Sequence, residues 1–139
     1  MSKGLTITDS VNAILTSKDS FGAKFYECMF RGFPDLKMHF DSVDMHKQSV
    51  MVTTALTLIE KYYTHPNDAI RMYLQVLGTR HCDRQIPQDR YADWLDALLE
   101  TLREFHGEDW NEDLAAQWAD AINNANIAIF EGYTEHFHV

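Results

Sequence analysis

Side chains able to do chemistry are few and dispersed in this sequence. Seven histidines and two cysteines, Cys28 and Cys82, are spread over 139 residues. The histidine spacings fit no zinc signature, and there is neither a His-Glu-x-x-His motif nor the two Glu-x-x-His motifs that a di-iron site takes. The two cysteines lie too far apart for a metal knuckle and too few for a disulfide framework, so free thiols are expected. There is no glycine-rich phosphate loop and no serine in a nucleophile elbow. His136 and His138 suit weak metal capture at most. What remains is His81, in the stretch Leu77-Gly78-Thr79-Arg80-His81-Cys82. A lone histidine on an apolar face is commonly a satisfied core residue. Its surroundings therefore decide its meaning.

The element that carries His81 is a helix. Ile70, Tyr73, Leu74, Leu77 and His81 recur at helical spacing, so His81 points inward with the core residues. Gln85-Ile86-Pro87 breaks that helix, and Pro87 suits the first turn of the next. The next helix has the clearest two-faced pattern in the chain: Tyr91, Trp94, Leu95, Leu98, Leu99, Leu102 and Phe105. It ends at His106-Gly107-Glu108-Asp109, followed by Trp110, a candidate exposed contact residue. The last helix carries Leu114, Trp118, Ala121, Ile122, Ala125, Ile129 and Tyr133.

Upstream, Ile7, Val11, Ile14 and Leu15 make a short stripe, and Phe25, Tyr26, Met29, Phe30 and Phe33 a stronger one. Pro34 turns the chain into a short irregular or single-turn segment with Leu36, Met38 and Phe40. Gln48 then opens a helix with Val52, Ala55, Leu56, Ile59, Tyr62 and Tyr63 on one face. No stretch alternates as a strand. The pattern predicts one all-α domain over residues 1–139, with roughly seven helices.

A formal charge of −9 and a pI near 5.1 argue against nucleic acid or an anionic membrane as partner, because both repel an acidic surface. No apolar run reaches membrane-span length, and Met1 to Thr6 has no secretory core, so a cytoplasmic location is expected.

Taken in order, these residues resemble a globin, and most of all the single-domain bacterial haemoglobins and the globin domain of flavohaemoglobins. The resemblance covers roughly residues 7 to 134. Its most specific parts are Phe25-Tyr26 through Phe30, Pro34 and Phe40, then Leu77 through His81, then Tyr91 with Trp118. It implies a globin fold of about six to eight helices around a pocket for haem b, iron protoporphyrin IX. His81 would be the proximal iron ligand, its neutral imidazole oriented by a partner on the other ring nitrogen. Leu77, Ile86 and Tyr91 would lie on the proximal side, and Phe40 would pack on the porphyrin. Phe30, Trp94 and Leu98 would line the rest of the cavity. Arg80 is either a propionate contact or a surface arginine.

On the distal side the resemblance assigns Tyr26 and Gln48 as hydrogen-bond donors to the bound gas, with Val52 as the apolar contact. A slip of one residue would put Lys47 in place of Gln48. The expected ligands are O2 and other diatomic gases, NO and CO among them. The alternatives are NO dioxygenation with a separate reductase, since no flavin- or nicotinamide-binding segment follows before Val139, and a haem-based gas sensor or interaction module. Monomer and homodimer both stay open. One departure is specific. Flavohaemoglobins join the proximal histidine to a tyrosine and a glutamate; here Tyr91 fits the tyrosine, but Tyr133 stands at the glutamate position. Glu131 and Glu135 lie two residues to either side, rotated to the far helix face.

Overall fold

A computed structural model describes residues 4–137, so Met1-Ser2-Lys3 and His138-Val139 lie outside the described residues. The described chain forms six α-helices joined by short turns and three 3-10 segments, with no strand among the described residues. The helices are α1 (Ile7–Thr16), α2 (Phe21–Gly32), α3 (Met45–Thr64), α4 (Asp68–Asp83), α5 (Tyr91–His106) and α6 (Glu112–Glu135). The 3-10 segments are Pro34–Phe40, Gln88–Arg90 and Gly107–Asp109.

Most starts carry a side-chain cap that satisfies orphan amide donors. Thr6 and Asp9 form a reciprocal capping box on α1. Ser20, Asp44, Asn67 and Asn111 cap α2, α3, α4 and α6. Asp44 sets the start of α3 at Met45, so Gln48 lies in the first turn rather than opening the helix. Pro87 stands in extended backbone before the Gln88–Arg90 turn, one step earlier than the first turn of α5.

The core is built from Trp118, Phe25, Leu56, Leu74, Leu98, Leu102, Leu114 and Ile122, all nearly inaccessible. Two residues expected on inward faces are exposed instead: Leu15 at 52% and Tyr73 at 37%. Each sits at the edge of its stripe, where one helical step of 100° turns a side chain out of the packed arc.

Backbone-to-backbone approach fixes the helix crossing nearest His81. At α4 on α6, a Cβ on Gly78 would lie 1.7 Å from the Ile129 carbonyl oxygen, and one on Gly132 would lie 2.0 Å from that of Gln75. The Thr79 hydroxyl donates to the Gly132 carbonyl at 2.9 Å, bonding the same crossing. Only hydrogen fits at positions 78 and 132, so α4 lies flush on α6 three residues before His81.

The first helix is held by a buried polar trio. Trp118 Nε1 donates to Ser10 Oγ at 2.9 Å, and Ser10 Oγ lies 2.6 Å from His106 Nε2. With the indole proton accepted by Ser10, the serine hydroxyl is free to donate to the imidazole, which burial keeps below its ordinary pKa. Trp110, expected as an exposed contact, is half-buried and parallel to the His106 ring at 6.3 Å.

Candidate haem pocket

His81 enters the last turn of α4 with part of its surface covered. Burial first, and the nearby Arg84 guanidinium second, push its pKa down to about 4, so the imidazole is neutral at ordinary pH. Its Nδ1 lies 2.7 Å from the Tyr91 hydroxyl. The structure records no hydrogen bond to Nε2 from the described residues.

The end of α4 is locked just beyond it. Gln85 takes a left-handed backbone, φ 63°, and the chain folds back on itself. The amide of Gln85 donates to the Cys82 carbonyl at 2.9 Å, and that of Ile86 to the His81 carbonyl at 3.0 Å. This is a Schellman ending with glutamine where glycine is usual. The Ile86 carbonyl in turn accepts from the Tyr133 hydroxyl at 2.7 Å, and the Tyr133 and Tyr91 oxygens are 3.2 Å apart. Tyr133 therefore occupies the place expected for a glutamate, in direct contact with Tyr91. Glu131 faces away and pairs with Arg71 at 2.9 Å. Tyr91 opens α5, where Arg90 binds Asp93 at 2.8 Å and also pairs with Asp35. Burial first, and Tyr133 second, raise the Tyr91 pKa far above the ordinary phenol value, so it remains protonated.

The second polar pair joins α2 and α3. Gln48 Nε2 donates to the Tyr26 hydroxyl oxygen at 3.0 Å. Burial pushes the Tyr26 pKa up to about 12, opposed by the Gln48 bond, so its phenol proton stays on and is not consumed by Gln48. What brings the two helices this close is Gly22, where a Cβ would stand 2.1 Å from the Ser49 carbonyl oxygen. Lys47 is exposed, and its backbone amide is bound by Asp44. It is thus Gln48, not Lys47, that pairs with Tyr26. Aromatic rings surround the pair: Tyr26 lies 5.3 Å from Phe40 and 5.8 Å from Phe30, and those two lie 5.3 Å apart.

The remaining predicted residues are less closely grouped. Val52 is buried one turn beyond Gln48. Leu77 and Ile86 are half-buried on the core edge, and Trp94 packs edge-on against Phe25 at 5.8 Å. Leu98 is fully buried among core residues, and Arg80 is exposed.

An open groove of about 550 Å³ runs between the start of α3 and the end of α4. Gln48 lines it from one side and Arg84 from the other, with Met38, His39, Lys47 and Met51 along the rim. Its size is that of a small-molecule or cofactor site, roughly 300–1,000 Å³. His81, Phe30 and Phe40 do not line this groove, so it is the donor set around it, and not the groove alone, that suits a haem. One neutral imidazole offers a free nitrogen of the kind haem iron would take as a ligand. Phe30 and Phe40 supply flat apolar faces, and Lys47 and Arg84 supply cations for carboxylates at the mouth. Arg84, Met38 and Met51 were not singled out by sequence. Arg84 was legible in principle, since it follows His81 by three residues and so shares its side of the helix.

Comparison with known proteins agrees with the helical architecture. The Globin family model matches residues 23–129. Globin CTT-Z of Chironomus thummi piger is 24% identical, over 74% of this chain and 71% of that protein. A crystal structure of a Pseudomonas aeruginosa PAO1 protein, described as structurally highly homologous to a human hemoglobin, shares the fold. It has a TM-score of 0.79 at 24% identity, covering 91% of this chain and 95% of that one. Among the described residues no helix is long and apolar enough to cross a membrane. With the family match spanning most of the chain and the helical architecture in agreement, the chain belongs to the globin family, whose fold holds haem.

Proposed function

We propose that this globin binds haem b through His81 Nε2 and uses it to bind O2 reversibly, with NO and CO as further ligands. Haem supplies an iron with one position open to a diatomic gas. The protein's contribution is orientation and proton donation. Tyr91 holds the imidazole from its far nitrogen, and burial keeps that imidazole neutral. Tyr26 and Gln48 present hydrogen-bond donors to a gas that carries partial negative charge, and Val52 keeps the neighbouring wall apolar. The observation that carries this reading is the pairing of Gln48 Nε2 with the Tyr26 oxygen. It leaves the Tyr26 proton available to a ligand instead of to the protein.

NO dioxygenation with a separate reductase is the neighbouring activity. The proximal side supports gas binding more than sustained turnover, because Tyr91 meets Tyr133 and not a carboxylate. The test is the absorption spectrum of the purified protein after addition of haem. An intense Soret band that shifts on adding CO, and a loss of normal axial ligation in His81→Ala, are expected. No Soret band, or an unchanged spectrum in His81→Ala, would overturn the assignment.

A further inference from the structure

The three polar groups behind His81 impose a direction on one another. Three contacts join them: His81 Nδ1 to the Tyr91 oxygen at 2.7 Å, the Tyr91 oxygen to the Tyr133 oxygen at 3.2 Å, and the Tyr133 oxygen to the Ile86 carbonyl at 2.7 Å. Each phenol has a single proton, and the carbonyl can only accept. If Tyr133 donates to Ile86, its proton is spent, and the contact between the two phenols must use the Tyr91 proton. That proton being spent, the contact to His81 must use a hydrogen on Nδ1. All three contacts are then hydrogen bonds. Reversing the chain, with Tyr91 donating to His81, leaves Tyr133 one proton for two acceptors. Either two phenol oxygens face each other with no hydrogen between them, or the short bond to a part-buried carbonyl is given up.

We propose that Tyr133 is a positioning residue for the proximal imidazole. Acting through Tyr91, it directs the chain His81 to Tyr91 to Tyr133 to the Ile86 carbonyl, leaving the Nδ1–H tautomer with a bare lone pair on Nε2. The assignment of Nε2 to iron rests on the haem-binding reading; the direction of the chain does not. The chain ends on a neutral backbone oxygen, so it orders the ring and strengthens the Nδ1–H bond by mutual polarisation without drawing the proton away. Tyr133 and Ile86 belong to separate elements, α6 and the turn after α4, so the tautomer is set where the two meet.

The test uses the full chain, haem-free and haem-loaded. Nitrogen-15 NMR of the haem-free chain should show a protonated Nδ1 and an unprotonated Nε2 on His81. Tyr133→Phe keeps the ring that packs on Tyr91 and Phe130 but removes the receiving oxygen. It should shift the Nδ1 signal toward mixed tautomers. In the haem-loaded ferrous protein it should move the iron–histidine stretching band in resonance Raman to lower frequency, in the same direction as Tyr91→Phe but less far. A hydrogen on Nε2 in the wild-type chain overturns the proposal. So does a Tyr133→Phe protein with wild-type Nδ1 shift and wild-type stretch. Should the wild-type chain show the Nδ1–H form yet fail to take up haem, the chain direction is supported and the ligand assignment falls.

Discussion

Replacing Tyr26 by Phe isolates one proton. The ring contacts to Phe25, Phe30 and Phe40, at 5.0, 5.8 and 5.3 Å, are kept, so packing changes little. What is lost is a phenol whose oxygen is already engaged by Gln48 and whose proton has no competing acceptor within that pair. Because its pKa is pushed up to about 12 by burial, the donor is present across the whole physiological range. A hydrogen bond to a partly charged acceptor in such a setting is worth about 1.5–3 kcal/mol. At 1.4 kcal/mol per factor of ten, O2 dissociation should quicken by roughly 10- to 150-fold. Gln48, freed from the tyrosine oxygen, can re-aim its amide and recover part of this, which favours the lower half of that range. Stopped-flow displacement of O2 from the haem-loaded protein measures the rate. CO, a poor acceptor, is the internal control and should leave at close to the wild-type rate. An unchanged O2 rate, or O2 and CO quickening by the same factor, would refute the assignment of Tyr26 as donor.

Three further outcomes follow from burial and packing. The His81 pKa falls from 6.5 to about 4 in the folded protein, so as pH drops the unfolded chain takes the proton first. Stability from this group is complete above the unfolded value and is lost as pH falls through that interval, by about 3 kcal/mol in all; urea unfolding of the haem-free chain across that range should show the decline, and His81→Ala should flatten it. Gly78→Ala drives a Cβ into the Ile129 carbonyl and should cost about 3 kcal/mol, read as a lowered thermal midpoint together with weakened haem retention. Ser10→Ala strips partners from the Trp118 indole and the His106 imidazole at once, and should cost about 3 kcal/mol in chemical unfolding with unchanged gas kinetics.

Helices and their inward faces were legible because the 3- and 4-residue spacing of large apolar side chains records burial directly. The pattern fails at stripe edges, which is why Leu15 and Tyr73 are exposed where an inward position was expected. The pairing of Gln48 with Tyr26 was open by one residue in the sequence, since the turn before α3 has no periodicity to count by. The Asp44 cap decides it by fixing where the helix begins. His81 and Tyr91 were readable as a pair through their spacing across a turn. The bond from Tyr133 to the Ile86 carbonyl was not, because a backbone acceptor leaves no trace in side-chain identity. His106 was read only as a helix end, since its link to Ser10 joins positions 96 residues apart that share no local pattern.

The anchoring of α1 has a consequence for how the chain is made. Ser10 accepts from an indole 108 residues further on, and the Ile7 amide is bound by Gln117 across 110. Synthesis at roughly 5–20 residues per second puts about 5–20 s between the emergence of α1 and the arrival of its partners. Throughout that interval α1 can meet α3, where the Thr8 hydroxyl donates to Glu60, but Ile7, Val11 and Ile14 lack the α6 side of their core. This segment therefore emerges well before its packing is complete, and part of its apolar stripe is open to a chaperone or a neighbouring nascent chain until α6 closes over it.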